Sequence, residues 1–373
     1  MRILQIVPLH DSYRVFLRDL RDALVVSGHE VHTLCRIGAG NTRRFAEDGD
    51  PGCIHFLLPR GAHPLGHFLA ALRLRKVIRR LRPDIVHAHF SSAILTAAVA
   101  RSMGRLETRW LATFQGLQFP LATGSRKALL RRAEAFAACR MDAVWVLTQD
   151  DAAALEVAAA GARVQVQQSP GFGCADRFLD TPLPAPGERA RLRREAGFGT
   201  EDTVFIFIGR LVAFKGFHLA ARAFAAAARD NPYFRWIVIG ELDPLHPSGL
   251  SEGEWQTFLH HPAISWLRTQ DDVLPWLDCA DAMLFPTSRE GMPVSVMEAL
   301  ARRLPVLTQN VRGCRELITE GVNGHFFEAP RVEAVTDVLK TFRPFRPTSP
   351  VDHLRRSRWI AEMREAYGGM ANG

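Results

Sequence analysis

The chain of 373 residues is short of the features that would place it outside a reducing cell interior. Its six cysteines, Cys35, Cys53, Cys139, Cys174, Cys279 and Cys314, include no C-x-x-C pair, so the sequence offers no zinc ribbon and no dithiol redox centre. They are scattered among apolar stretches and read as reduced thiols. No run of about 18 uninterrupted apolar residues occurs, and no membrane-spanning helix is expected. The N-terminal MRILQIVPLH enters a strand pattern directly, without the profile of a secretory leader, so a cytoplasmic location is expected. Short-period repeats and low-complexity tracts are missing too. With 47 % hydrophobic and 23 % charged residues, there is ample apolar content for two folded cores.

What is present is an asymmetric charge. The net charge is +8, and residues 1–185 carry all of it, with 24 Lys+Arg against 16 Asp+Glu. Residues 186–373 carry 23 of each. A one-sided positive field attracts anionic surfaces and phosphate-bearing substrates. The charge is diffuse and no nucleic-acid-binding motif accompanies it, so nucleic acid is not an expected partner.

Apolar runs and helical periodicity alternate along both halves. Ile3–Val7 reads as a strand buried on both faces, the helix pattern of Phe16, Leu17, Leu20 and Leu24 follows, and Val31–Leu34 is the next strand. A basic helix from about Gly66 to Leu81 stops at Pro83, the strand Ile85–His89 follows, and a long helix covers about Arg126 to Arg140. Pro182–Gly187 reads as a proline-rich spacer unable to hold a helix. Beyond it, strands at Val204–Ile208 and Ala282–Phe285 are each followed by helices, and Cys314–Ile318 reads as a further short helix. The expected organisation is therefore α/β, with two doubly wound Rossmann-like domains facing a central cleft. Residues 1–168 form the first, 169–352 the second, and 353–373 a basic helical tail with an apolar stripe of Trp359, Ile360 and Met363.

Two segments carry chemistry. In Phe285-Pro-Thr-Ser-Arg-Glu-Gly-Met-Pro-Val-Ser-Val-Met-Glu298 a strand runs into a loop with Glu290 and Gly291, and Pro293 opens a helix that bears Glu298. Free N–H groups at such a helix start favour phosphate or sugar oxygens. The two carboxylates can accept hydrogen bonds from sugar hydroxyls. In Phe207-Ile208-Gly209-Arg210-Leu211-Val212-Ala213-Phe214-Lys215-Gly216, Arg210 and Lys215 leave the carboxyl end of a strand, where two cations suit a diphosphate leaving group. Asp48-Gly49-Asp50 spells D-x-D but lies in a polar turn and reads as chance, and no metal cluster is expected.

With these residues in view, the chain resembles the retaining GT-B glycosyltransferases of family 4, the group 1 glycosyl transferases. Glu290 and Glu298 match that family's E-x7-E pair, and Gly209-Arg210 with Lys215-Gly216 match its diphosphate loop. Gly313-Cys-Arg-Glu316 and Gly321-Val-Asn-Gly324 match its G-x-x-E and G-x-N-G segments, and residues 27–31 and 83–89 match its N-terminal half. The resemblance implies that Arg210 and Lys215 hold the diphosphate of a nucleotide-sugar, Glu298 its ribose and Glu290 the transferred sugar. It also implies that the backbone of Gly291, Met292, Pro293 and Val294 meets sugar or phosphate oxygens. Glu290, Lys215 and Arg210 would be the catalytic groups, with no resident cofactor and no metal. The transferred group would be a hexose or N-acetylhexosamine, from UDP by preference, and anomeric configuration would be retained.

Two departures stand out. The family's glycine pair after the first strand is replaced by Pro8-Leu9-His10-Asp11-Ser12-Tyr13, and its His-Gly by Gln115-Gly116. Gln can hydrogen-bond a hydroxyl but cannot exchange protons as His does. His10, Asp11 and Gln115 are candidates for the acceptor side. The segments 16–18, 114–116 and 313–316 are most similar to bacterial members that build surface polysaccharides, which implies a glycan or polyprenyl-diphosphate-linked acceptor. Arg73, Arg75, Lys76, Arg79, Arg80 and Arg82 on one helix, and Arg126, Lys127, Arg131 and Arg132 on another, would suit an anionic membrane, with Phe119-Pro120-Leu121 dipping into it. His87 and His89 read as strand-end residues lining the cleft. The alternatives left open are a nucleotide-sugar epimerase of the same fold and a degenerate, non-catalytic scaffold.

Overall fold

A computed structural model describes residues 1–37, 52–59, 61, 63–243 and 248–372. Asp48-Gly49-Asp50 lies outside the described residues. The chain divides into two compact units, one of Met1–Phe172 with Arg358–Gly373, the other of Gly173–Ser357.

In the first unit seven strands form one parallel sheet: β1 (Arg2–Leu9), β2 (Glu30–Arg36), β3 (Cys53–His55), β4 (Ile85–His89), β5 (Arg109–Phe114), β6 (Ala143–Val146) and β7 (Val164–Val166), in the order β3-β2-β1-β4-β5-β6-β7. Alternate side chains feed two cores. Leu4 and Ile6 join one side, with Val86, Ala88, Trp110, Ala112 and Phe114. Helices α2 (Pro64–Leu81), α3 (Ser91–Ser102), α4 (Gly124–Ala138) and α5 (Gln149–Ala158) cover that side. Ile3, Val7, Ile85 and Leu111 face the other, under α1 (Arg18–Val26) and the closing helix α12 (Arg356–Asn372). Burial on both faces is why the strands read as continuous apolar runs rather than alternating ones.

The second unit holds a six-stranded parallel sheet, β10-β9-β8-β11-β12-β13. Its strands are β8 (Thr203–Ile208), β9 (Phe234–Ile239), β10 (Ile264–Trp266), β11 (Ala282–Phe285), β12 (Val306–Gln309) and β13 (Gly324–Phe327). Besides a single turn at Arg177–Asp180, its α-helices among the described residues are α6 (Pro186–Glu195), α7 (Phe217–Asp230), α8 (Glu252–Leu259), α9 (Leu274–Cys279), α10 (Val294–Ala301) and α11 (Val332–Thr341). The strand order reverses between β8 and β11. Loops at the carboxyl ends of those two strands diverge there, which is where open α/β sheets take ligands.

The tail expected at 353–373 is not separate. Trp359, Met363 and Tyr367 are almost fully buried against the first unit's sheet, and Trp359 meets the edge of Phe172 with centroids 5.1 Å apart. Glu362 accepts from the amides of Gln168 and Ser169 at 2.8 and 2.9 Å. Residues 169–172 therefore go with the first unit, and the division falls after Phe172 rather than after 168.

Four local expectations change. Pro182–Gly187 was expected to exclude a helix, yet α6 starts at Pro186, because a first-turn residue needs no N–H partner. Pro8 and Leu9 do not follow the first strand but belong to it: β1 runs to Leu9, His10–Ser12 is already helical, and a π-turn at Tyr13–Leu17 joins it to α1. Cys314–Ile318 is a series of turns, in which Leu317 and Ile318 N–H share the Cys314 carbonyl, and not a helix. His87 and His89 are fully buried. They point to the α12 side of the sheet, where His87 bonds Tyr367 Oη at 2.7 Å and Thr113 Oγ1 at 2.8 Å. Burial holds the His89 imidazole neutral, with its pKa pushed down to about 3.

Candidate active site

The site expected from sequence assembles in the second unit, at the ends of β8 and β11. After β8 the chain forms a 3-10 turn at Ala213–Lys215 and enters α7 through Gly216, whose φ is +74°. A Cβ there would overlap the Pro286 carbonyl oxygen, so the two loops meet backbone to backbone at this point. The Phe214 carbonyl accepts from Ser288 N–H at 2.9 Å and from Ser288 Oγ at 3.0 Å, which holds the loops in one register.

This clasp brings together two residues 75 positions apart. Lys215 Nζ donates to Glu290 Oε1 and Oε2 at 2.7 and 2.9 Å, and Thr287 Oγ1 lies 2.8 Å from Glu290 Oε1. The carboxylate side chain is 9 % exposed and the lysine 19 %, so water screens the pair poorly. The ammonium also lies 5.3 Å from the Phe285 ring centroid. Below, the Cys314 thiol is pushed up to about 12, by burial first, and stays protonated.

Arg210 leaves the same strand end in a different setting. It is exposed, bonds Asp243 Oδ2 at 2.8 Å and stacks over Phe214 at 5.3 Å. It is the more exposed cation of the two, with 52 % of its side chain accessible against 19 % for Lys215.

α10 starts at Val294 with Pro293 as its cap and no side-chain capping bond. Its first N–H groups thus remain open to an anion. Gly291, Met292 and Val294 are partly exposed around that helix start. Gly313, at φ +84°, lies so close behind Gly291 that a Cβ would press on the Gly291 carbonyl oxygen. Its N–H donates to Glu316 at 2.6 Å, which explains the Gly and Glu of that segment as a brace for the loop. Asn323 is a brace as well, accepting from Thr319 N–H and donating to the Leu317 carbonyl.

Glu298 sits one turn into α10. Its carboxyl is raised to about 7, mainly by burial, against the opposing pull of Arg356 and Arg177. Its charged neighbours, Arg356, Arg177 and Asp272, differ from the Lys215 partner of Glu290.

The acceptor-side candidates do not gather. Gln115 lines a cavity of about 270 Å³ in the first unit with Phe90, Ser91, Gln118 and Glu134, and neither His10 nor Asp11 does. Both amide atoms of Gln115 are buried with no hydrogen-bond partner among the described residues. His10 is buried beside Tyr13, and Asp11 is exposed. The residue that shapes this cavity escaped the sequence reading. Buried Glu134 accepts from Gln118 and Phe119 N–H at 3.0–3.1 Å and from Ser91 Oγ at 2.6 Å. The signal was a lone acid in a helix of Arg and Lys. Two membrane-side expectations are also corrected. Arg75 is buried, donating to the Ala100 and Gly104 carbonyls, and Phe119 is buried while Leu121 is exposed. Among the described residues no helix is long and apolar enough to cross a membrane, and no group of three or more His, Cys, Asp or Glu is placed to hold a metal ion.

Two parallel-sheet units with such a loop pair define a glycosyltransferase of the GT-B fold. HepE of Anabaena, solved with UDP and glucose, superimposes with a TM-score of 0.69 at 18 % identity, over 91 % of this chain and 89 % of that one. Family models match both units: "Glycosyl transferase 4-like domain" over residues 13–171 and "Glycosyl transferases group 1" over 202–342. The glycosyltransferase EpsD of Bacillus subtilis is 27 % identical over 79 % of each chain. The colanic acid biosynthesis glycosyltransferase WcaL of Salmonella typhimurium is 24 % identical over 76 % of this chain and 65 % of its own. The chain belongs to the group 1 glycosyltransferases, family 4 of the GT-B fold.

Proposed function

We propose that the protein is a retaining hexosyltransferase. It moves a hexose or N-acetylhexosamine from a UDP-sugar to a glycan or polyprenyl-diphosphate-linked acceptor, at the inner face of the cytoplasmic membrane, in surface-polysaccharide synthesis. The observation that carries the reading is the Lys215–Glu290 pair, clasped by Thr287 beside the open helix start at Val294. Supporting it are EpsD and WcaL as relatives and the UDP and glucose named with HepE.

In this reading Lys215, Arg210 and the first N–H groups of α10 carry the diphosphate, with Gly291–Val294 lying along it. Glu290, already oriented by Lys215 and Thr287, accepts from hydroxyls of the sugar. Glu298 accepts from the ribose. The acceptor hydroxyl forms its bond to the anomeric carbon on the face from which the diphosphate leaves. The breaking C–O bond delivers its electrons to the phosphate oxygen, which takes the hydroxyl proton. Lys215 and the helix N–H groups stabilise the charge that grows there, and no metal or cofactor is called for. Gln115 serves the acceptor as a hydrogen-bonding group only, since an amide does not titrate.

The test is the stereochemistry of the product. Incubated with an α-linked UDP-sugar and a polyprenyl-diphosphate sugar, the enzyme should release UDP and form an α-linkage, read by proton NMR. A β-linked product contradicts retention, and a free altered sugar nucleotide without acceptor supports the epimerase.

A further inference from the structure

The Phe214 ring, in the loop after β8, collects three cations. The Arg289 guanidinium lies over it at 4.5 Å from the centroid, Arg210 at 5.3 Å and the Lys215 ammonium at 5.9 Å. The two loops that carry these cations are pinned to each other beside the ring. The Phe214 carbonyl accepts from Thr287 Oγ1 at 3.0 Å, as well as from the two Ser288 groups, and Thr287 Oγ1 also lies 3.2 Å from the Arg289 carbonyl. A flat guanidinium laid on an aromatic face loses little further freedom when it meets an anion.

The three charges are not equally answered. Lys215 has Glu290, and Arg210 has Asp243. Arg289 is exposed and makes no hydrogen bond or ion pair among the described residues. Other arginines of this unit do have carboxylates: Arg302 has Asp278, Arg193 has Asp281 and Arg222 has Glu254. Arg289 instead lies over a ring that two other cations also approach. Like charges gathered in this way repel, and an anion placed among them relieves the repulsion.

The count of charges names the anion. The diphosphate of an intact nucleotide-sugar carries two negative charges, one on each phosphate, and Lys215 and Arg210 match those two. When the anomeric C–O bond breaks, its electron pair stays on the terminal phosphate oxygen and adds a third. The acceptor's proton meets that charge, but the freed diphosphate gives the proton up near neutral pH, because the second pKa of a terminal phosphate is about 6. We infer that Arg289, laid across Phe214, answers this third charge, so that the site holds the released nucleoside diphosphate more tightly than its ester. Phe214 is the positioning residue. The inference rests on the donor reading above and adds to it a residue and a preference outside the shared motifs, which contain neither Arg289 nor Phe214.

The test is calorimetric titration of the full chain, at about pH 7.5, with UDP and with the methyl ester of its terminal phosphate. The ester keeps both phosphates and only two of the charges. The parent should hold UDP about tenfold more tightly than the ester. Arg289→Gln should weaken UDP about tenfold and the ester less than about twofold, which closes the gap. Phe214→Leu should narrow the gap, and Phe214→Tyr, which keeps the ring, should preserve it. Arg289 is exposed, so its variant should keep the parent's melting temperature. A merely structural role would weaken both ligands alike. Equal loss of both in Arg289→Gln therefore overturns the inference, as does a gap that survives this substitution. A parent that binds both ligands equally strikes the inference alone. A parent that binds neither strikes the donor reading, and this inference with it.

Discussion

The two units share an architecture and differ in how they use their surfaces. Of the large hydrophobic residues left exposed among the described residues, thirteen lie in the first unit and five in the second. The second is closed over a site made of loops locked to each other: Gly216 against Pro286, Gly313 against Gly291, Lys215 onto Glu290. The first keeps its polar groups inside, with His87 on Tyr367 and Glu134 on the 118–119 amides, and turns aliphatic and basic groups outward. Under the proposed function, the one scaffold would supply two kinds of recognition. Preorganised backbone suits a small, charged, unvarying group such as a diphosphate, while a broad basic and aliphatic face suits an extended partner.

The comparison is broken hardest at Lys215. Lys215→Ala removes the cation at the leaving group and frees a poorly solvated Glu290, and should lower kcat by about 10²–10³-fold. The melting of the first unit should not move, which differential scanning calorimetry would check. A different separation follows from Trp359, fully enclosed by the first unit's core. Trp359→Ala should destabilise that unit by about 3–5 kcal/mol in urea titration, while UDP still binds the second.

Glu298 gives a pH test of the second unit. Its folded pKa is raised above that of a free carboxyl, so between about 4.5 and 7 the folded chain holds the extra proton and stability falls as pH rises. Glu298→Gln should therefore be more stable than the parent above pH 7, by about 3 kcal/mol at most, and equal to it in acid. Nucleotide affinity should show the opposite trend, since ribose hydroxyls need the ionised acceptor. It should rise through pH 7 in the parent and stay flat and weak in the variant, by calorimetric titration. The smallest effect is expected at Gln115. Gln115→Ala should leave UDP affinity and melting unchanged and raise KM for the acceptor alone, by about tenfold.

The residues of the candidate site in the second unit were legible because they stand in short segments. Gly209-Arg210, Lys215-Gly216, Glu290 and Glu298 each stand at a strand end or helix start that local patterning reveals. That Lys215 and Glu290 bond to each other was not legible, because a contact across 75 residues depends on two loops meeting. The same limit hid His87 under Tyr367, 280 residues away, and made Arg75 look like one more surface cation. The strand Cys53–His55 and the strand Gly324–Phe327 are too short to show a period. Pro186 misled because proline breaks a helix interior but suits its first turn.

The central claim is that the loops of the second unit hold a nucleotide diphosphate through Lys215 and the open start of α10. Its most direct test is calorimetric titration with UDP-, GDP- and ADP-sugars, on the parent and on Lys215→Ala. The parent should show one saturable site, favouring UDP, that weakens at least tenfold in the variant. Equal binding by parent and variant, or no binding of any sugar nucleotide by the parent, would contradict it.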